Sequence, residues 1–130
     1  MLTLVTVLLV EDRLVLRLQE HGETKNWWVE ELLARPRPEA LYVAAQAVAW
    51  AGENLMRVDT EYRAWRAQHT CNAIDRGGKT ATIRAVIESS DQFKSHKDRL
   101  ARAARLKRVS QGLCDVLAIE PEYRVEVRDD

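Results

Sequence analysis

The stretch that decides the fold runs from Glu39 to Asn72 and reads EALYVAAQAVAWAGENLMRVDTEYRAWRAQHTCN. Its apolar residues are spaced by one, three or four positions, which places them on one face of a helix with about 3.6 residues per turn. No proline interrupts the stretch, and its single glycine, Gly52, is a tolerable cost in a helix. The sequence therefore predicts one amphipathic helix about 50 Å long. Its apolar face comprises Ala40, Val43, Ala44, Ala47, Trp50, Ala51, Leu55, Val58, Tyr62 and Trp65.

A helix of this length needs a second long helix, or a second subunit, along its apolar face. Residues 75–78 (DRGG) supply a turn, and the helical pattern resumes at Thr80. Residues 88–91 (ESSD) predict a break and a new cap, followed by a helix over 92–118 whose apolar period is closer to 3.5. Two long helices joined by a short loop form an antiparallel hairpin, which we predict over residues 38–118.

The amino-terminal residues predict a β-hairpin over 1–22. Thr3–Val10 is rich in valine, leucine and threonine, and Arg13–Leu18 places Leu14, Leu16 and Leu18 on one side of a strand. Glu11 and Asp12 would form the turn between these strands. A helix is the competing interpretation because leucine is common here, but the density of β-branched residues favours strands.

The carboxy-terminal residues predict one more strand, over 122–128, because Tyr123, Val125 and Val127 alternate with charged residues. A two-stranded hairpin alone is marginally stable, so we expect both ends of the chain to meet in a small antiparallel sheet. The predicted fold class is α+β. It is a single domain over residues 1–130, dominated by the helical hairpin.

A short helix is predicted between the β-hairpin and the long helix, over residues 26–35. Asn26 would cap it, and Glu30 and Glu31 lie near its positive end. Trp27 falls inside this predicted helix. The prolines that follow would end it.

Composition and length indicate one folded domain with an ordinary apolar content. The longest apolar run, Val7–Val10, is far shorter than a bilayer span, and no basic residue opens the chain as in a signal peptide. We expect a soluble cytoplasmic protein that does not associate with membranes. Cys71 and Cys114 are far apart in sequence, so buried or idle thiols are favoured over a disulfide or a zinc site. No metal or cofactor is predicted.

Charge is distributed unevenly along the chain, although the net charge is zero. Residues 76–108 contain ten basic residues and three acidic ones, a local charge of +7. A local basic surface can bind polyanions even when the whole protein is neutral. The alternative is an ordinary solvated helix face.

Catalytic motifs are not evident. Residues 77–80 (GGKT) suggest a phosphate loop, but the required first glycine is replaced by Ala73 and a helix, not a strand, precedes the motif. The three histidines are widely separated, and no serine lies in a nucleophile-elbow context. We therefore expect that the protein is not an enzyme. The histidines are His21, His69 and His96.

Four tryptophans are candidates for an oligomer or partner interface. Trp50 and Trp65 lie on the apolar face of the long helix, so a core or interface position is favoured over a role as base-stacking platforms. Trp27 and Trp28 are adjacent, and one of them is expected to point inward.

The hairpin resembles small phage recombination proteins of the UvsY type. The resemblance is carried by residues 62–67 (YRAWRA), by Lys79-Thr80 in the turn, and by residues 83–91 (IRAVIESSD), and covers roughly residues 40–118. It implies a helical, oligomeric mediator that binds single-stranded DNA and loads a recombinase onto strands coated by single-strand-binding protein. By position, the implied DNA contacts are Arg63, Arg66, Lys79 and Arg84.

The sequence thus predicts a homo-oligomeric accessory protein that binds single-stranded nucleic acid, with DNA expected, and has a recombinase or single-strand-binding protein as a potential partner. The alternative is a small phage or mobile-element regulator that binds a host protein through its β-hairpin or its Trp27-Trp28 segment. Seven basic residues are the candidate nucleic-acid contacts: Arg63, Arg66, Arg76, Lys79, Arg84, Lys94 and Lys97.

Overall fold

A computed structural model describes residues 2–119 and shows an α+β fold, as predicted. Three strands form one sheet, and a helix of 39 residues is followed by two more helices in a hairpin arrangement. In chain order the elements are β1 (Thr3–Val10), β2 (Arg13–Glu20), β3 (Glu23–Trp28), α1 (Val29–Leu33), α2 (Arg37–Asp75), α3 (Thr80–Glu88) and α4 (Asp91–Ala118).

The chain divides into two compact units. The described residues of the sheet unit are 2–52 and 106–119, and the hairpin unit comprises Glu53–Arg105. Helices α2 and α4 each contribute residues to both units. Within residues 2–119, no helix combines the length and the apolar character needed to cross a bilayer.

The sheet is antiparallel, with strand order β1-β2-β3. Glu11 (φ 51°) and Asp12 (φ 65°) join the first two strands, and His21 (φ 52°) and Gly22 (φ 79°) join the second and third. Two-residue loops with positive φ at both positions match the right-handed twist of the strands that they connect. The predicted β-hairpin is therefore confirmed, and a second hairpin follows it directly.

The third strand is β3, and this corrects the predicted helix over 26–35. Asn26 does not cap that helix; it lies in β3 together with Trp27 and Trp28, and the helix occupies only Val29–Leu33. The turn at residues 21–22 extends the ladder of backbone hydrogen bonds as far as Trp28, so sheet pairing takes these residues instead of a helix. The strand predicted over 122–128 lies outside the described residues.

The core of the sheet unit lies between one face of the sheet and helices α2 and α4. The strand register places Val7, Leu16 and Trp27 in one row on this face. The small side chains along α2 permit close approach of the packed elements, because alanine adds little bulk to the helix surface. The residues of α2 and α4 buried in this core are Ala40, Val43, Ala44, Ala47, Ala51, Leu106, Leu113 and Leu117.

The turn between α2 and α3 ends the long helix with a pair of backbone hydrogen bonds. The amide of Gly78 donates to the carbonyl of Ala73 (3.0 Å), and the amide of Gly77 donates to that of Ile74 (2.9 Å). This pattern is a Schellman motif, in which the residue after the helix takes a left-handed conformation; Gly77 has φ 84°. The predicted glycine turn is confirmed.

The predicted break near residues 88–91 is also confirmed. Helix α3 ends at Glu88, and the hydroxyl of Ser90 accepts a hydrogen bond from the amide of Phe93 (3.2 Å), which caps the start of α4. The apolar face predicted for α2 is covered in part by other elements of the described chain. In the sheet unit it packs on the sheet and α4, and in the hairpin unit Tyr62 contacts Phe93.

Candidate nucleic-acid interface

All seven predicted nucleic-acid contacts belong to the hairpin unit, but three of them are ion-paired. Arg63 pairs with Asp59 one turn earlier in α2, with Nε 2.9 Å from Oδ2. Arg66 and Arg84 share the same carboxylate oxygen of Glu88, at 3.0 and 3.1 Å. The geometry thus brings Arg66 and Arg84 together but partly neutralises their charge.

The environment of Arg66 holds it in place. Its Nη1 donates to the hydroxyl of Tyr62 (2.8 Å) and its Nη2 donates to Glu88. The hydrogen bond with Tyr62, and then that with Glu88, raises the pKa of Arg66 above its usual value. The hydrogen bonds from Arg66, and then from Arg84, lower the pKa of Glu88. Arg66 therefore links α2 to α3 as a permanently charged group.

Lys97 lies against aromatic rings of the same unit. Its Nζ is 5.0 Å from the centre of the Tyr62 ring and 5.6 Å from that of Phe93. The guanidinium of Arg66 also lies over Phe93, at 5.8 Å. Cations within about 6 Å of a ring centre are attracted to the ring face. Two predicted phosphate contacts therefore border a cluster of rings.

We call this set of side chains the ring cluster. It joins two helices because Trp65 of α2 lies 4.8 Å, between ring centres, from both His69 and His96. The indole Nε1 of Trp65 donates to Gln92 (3.3 Å), and its ring remains half-buried. The Nδ1 atom of His96 is buried and has no hydrogen-bond partner in the described part of the chain. The members of the ring cluster are Tyr62, Trp65, His69, Phe93 and His96.

Three predicted contacts carry charge that no neighbour offsets. Arg76 and Lys79 lie at the turn between α2 and α3, and Lys94 lies in the first turns of α4. Each is exposed, and none forms an ion pair or a side-chain hydrogen bond with residues 2–119. Exposed cations of this kind can contact phosphates without a prior cost of breaking an ion pair.

The other predicted interface tryptophans lie in the sheet unit. Trp27 and Trp50 pack against its hydrophobic core. Trp28 faces the opposite side of the sheet, where the guanidinium of Arg13 lies 4.2 Å from its ring centre. Their role at an interface stays a prediction, as does that of Trp65.

Sequence reasoning missed Glu88, Phe93 and the two histidines of the ring cluster. Some of their contacts have a sequence signal, because Arg84–Glu88 and Trp65–His69 are spaced by four residues on one helix. The contact between Arg66 and Glu88 spans 22 residues and joins two helices, so no local pattern reveals it.

Among residues 2–119, no group of three or more histidine, cysteine or acidic side chains is placed to hold a metal ion. Comparison of the chain with known protein families, with curated proteins and with solved structures finds no match.

Proposed function

We propose that this protein is a non-catalytic accessory protein that binds single-stranded DNA, in the manner of a recombination mediator, during phage-type recombination or repair. The observation that supports this most directly is the ring cluster, whose half-buried Trp65 lies in the same unit as the unpaired cations Arg76, Lys79 and Lys94. Rings and cations are the two components of surfaces that hold single strands.

The proposed division of roles follows from the chemistry of a single strand. Bases expose flat apolar faces that stack on aromatic side chains, and the half-buried Trp65 would supply the ring. Phosphates are contacted by the unpaired cations, which give affinity without a choice of sequence. A duplex hides its base faces, so this surface favours single strands.

Oligomer formation is part of the proposal, because several weak sites along one strand multiply their effect. In the described part of the sheet, β1 has a neighbour on one side only, and its segment TLVTVLLV carries no charge. Val5, Leu8 and Val10 are 45%, 39% and 40% exposed. An uncharged, apolar edge strand favours pairing with another strand. A recombinase or a single-strand-binding protein in the cytoplasm would be the functional partner.

A second candidate is a regulator that binds a host protein, and the same exposed β1 residues favour it. Its partner would add a strand to β1 or contact Trp28, since added strands and aromatic anchors are common modes of recognition. Binding to nucleic acid distinguishes the two candidate functions, because the regulator needs no affinity for nucleic acid.

The test is fluorescence anisotropy of labelled oligo(dT) and of a labelled duplex, with wild-type protein at low and moderate salt. We expect salt-sensitive binding that favours oligo(dT). Trp65→Ala should weaken binding by at least about fivefold, because one stacked base contributes about 1–3 kcal/mol. Val116→Ala, at an exposed valine of α4 in the sheet unit, is the control and should bind as wild type. Absence of oligo(dT) binding at low salt would overturn the proposal.

A further inference from the structure

An open groove lies between the end of α2 and α3, entirely within the hairpin unit. Its volume of about 430 Å³ falls within the range of about 300–1,000 Å³ that is usual for small-molecule pockets. Residues of both helices line it, among them His69, Asn72, Arg76, Thr82, Ile83 and Val86.

The groove results from the tight turn that joins the two helices. A Cβ atom on Gly78 would lie only 3.1 Å from Ile83, so the absence of a side chain there lets α3 approach the end of α2. One wall carries Ala73, whose small side chain leaves space in front of α3. Buried Ile83 and Ile87 form the apolar floor, and Val86 is 64% exposed beside them.

Three polar side chains around this floor have no partners of their own. The side chains of Asn72, Arg76 and Thr82 form no hydrogen bond or ion pair with any residue that the structure describes. No acidic side chain lines the groove. The start of α3 adds positive potential, because Lys79 provides no capping side-chain hydrogen bond and the first turn contains no acidic residue.

We propose that this groove holds one nucleotide of the bound strand, an inference that rests on the proposed function. The base lies against Val86 and Ile83, and its polar edge hydrogen-bonds to Asn72 and Thr82. Its phosphate contacts Arg76. An apolar floor with unpaired amide, hydroxyl and guanidinium groups at its rim matches a nucleotide, which combines an apolar face, a polar edge and an anion.

The position of His69 connects this groove to the ring cluster. His69 lines the groove, and its ring centre is 4.8 Å from that of Trp65. A nucleotide in the groove is thus close to a base stacked on Trp65. The strand would continue from one site to the other along α2.

The first experiment is NMR titration of the full-length protein with thymidine 5′-monophosphate. We expect saturable shifts of the Asn72 side-chain amide and the Val86 methyl groups, and no shift of the Val10 methyl groups in β1. A parallel titration with inorganic phosphate should leave the Val86 methyl groups unchanged. Equal shifts with inorganic phosphate would reduce the groove to an anion site and overturn the assignment of the base.

The second experiment fills the groove with a larger side chain. Val86→Trp should weaken binding of both the mononucleotide and oligo(dT) by at least about fivefold, the range expected for one lost base contact. Val116→Trp is the matched control, since Val116 is an exposed valine of α4 in the sheet unit. It should leave both affinities unchanged.

The outcomes separate this inference from the function on which it rests. If oligo(dT) binds wild type and Val86→Trp equally, the groove assignment is wrong and the proposed function stands. If the mononucleotide shifts the groove signals but oligo(dT) does not bind, the groove is a site for free nucleotides, and both its role in strand binding and the proposed function are wrong.

Discussion

Arg66 of α2 and Glu88 of α3 form an ion pair across the hairpin unit, with Nη2 3.0 Å from Oε1. Arg84 donates to the same oxygen from one turn earlier in α3. One carboxylate therefore holds two arginines that the sequence predicts to contact phosphates. This arrangement links the stability of the hairpin to the positive charge that it can offer a polyanion.

The lowered pKa of Glu88 predicts a loss of stability in acid. As pH falls, the unfolded chain binds the proton first, near pH 4.5, whereas the folded chain resists protonation until a lower pH. The stabilisation is complete above the unfolded value and disappears as pH falls through the folded value. The thermal unfolding midpoint should therefore decrease between about pH 5 and pH 3, and it should decrease less in Glu88→Gln.

The control for this measurement is Glu53→Gln. Glu53 is exposed and forms no ion pair within residues 2–119. Its variant should follow the wild-type curve. An unfolding midpoint that falls as steeply in Glu88→Gln as in wild type would show that the Arg66 contact contributes nothing to the acid response.

Loss of the Glu88 charge should leave Arg66 and Arg84 free to contact phosphates. At neutral pH, Glu88→Gln removes the negative charge that offsets Arg66 and Arg84, so the variant should bind oligo(dT) more tightly and with a steeper salt dependence. Glu61→Gln is the matched control because Glu61 also pairs across two helices, with Arg99 (2.7 Å), which is outside the predicted set. Anisotropy titrations at several salt concentrations measure both. A weaker or unchanged affinity of Glu88→Gln relative to Glu61→Gln would exclude Arg66 and Arg84 as phosphate contacts.

Replacement of two glycines by alanine should change the free energy of unfolding in opposite directions. Gly77 has φ 84°, a conformation that costs a residue with a side chain about 1–2 kcal/mol, so Gly77→Ala should lower the free energy of unfolding by about that amount. Gly112 lies inside α4, and a Cβ atom there would meet nothing within 4 Å. Gly112→Ala should raise the free energy of unfolding by about 0.5–1 kcal/mol. Urea unfolding measures both, and destabilisation by Gly112→Ala would contradict the open surroundings of that residue.

The elements with a strong repeating pattern could be predicted from the sequence. Helix α2 was expected over 39–72 and spans Arg37–Asp75. It could be predicted because the spacing of its apolar residues fits a helix and does not fit a strand. The glycine turn at residues 77–78 and the first β-hairpin were predicted for the same reason. In each case a local signal and the final packing favour the same structure.

Strand β3 could not be inferred from its own pattern. Its first four residues, Glu23–Asn26, are all exposed, so no alternation of buried and exposed residues marks the strand. Asn26 and the acidic residues after it are typical of a helix start. The stronger signal was the two-residue turn at His21–Gly22, which determines where the next strand pairs.

The candidate site was predicted in its charges but not in its contacts. The cations could be counted along the chain, whereas the contact of Arg66 with Glu88, which joins two helices, became evident only in the structure. The groove beside Asn72 likewise depends on how closely α3 approaches α2 at Gly78. Tertiary approach of this kind leaves no periodic trace in a sequence.

The most direct test of the account compares the salt dependence of oligo(dT) binding between two triple variants. Arg76→Ala, Lys79→Ala and Lys94→Ala together remove the three unpaired candidate contacts, and this variant should bind more weakly, with a salt slope smaller by about 2, because each phosphate contact on a single strand contributes about 0.7.

The control variant combines Arg17→Ala, Lys107→Ala and Arg108→Ala, which remove the same charge from exposed positions of the sheet unit outside the predicted set. It should retain the wild-type slope and most of the affinity. Equal losses in the two variants, or a wild-type slope in the first, would contradict the assignment of the phosphate contacts to the hairpin unit.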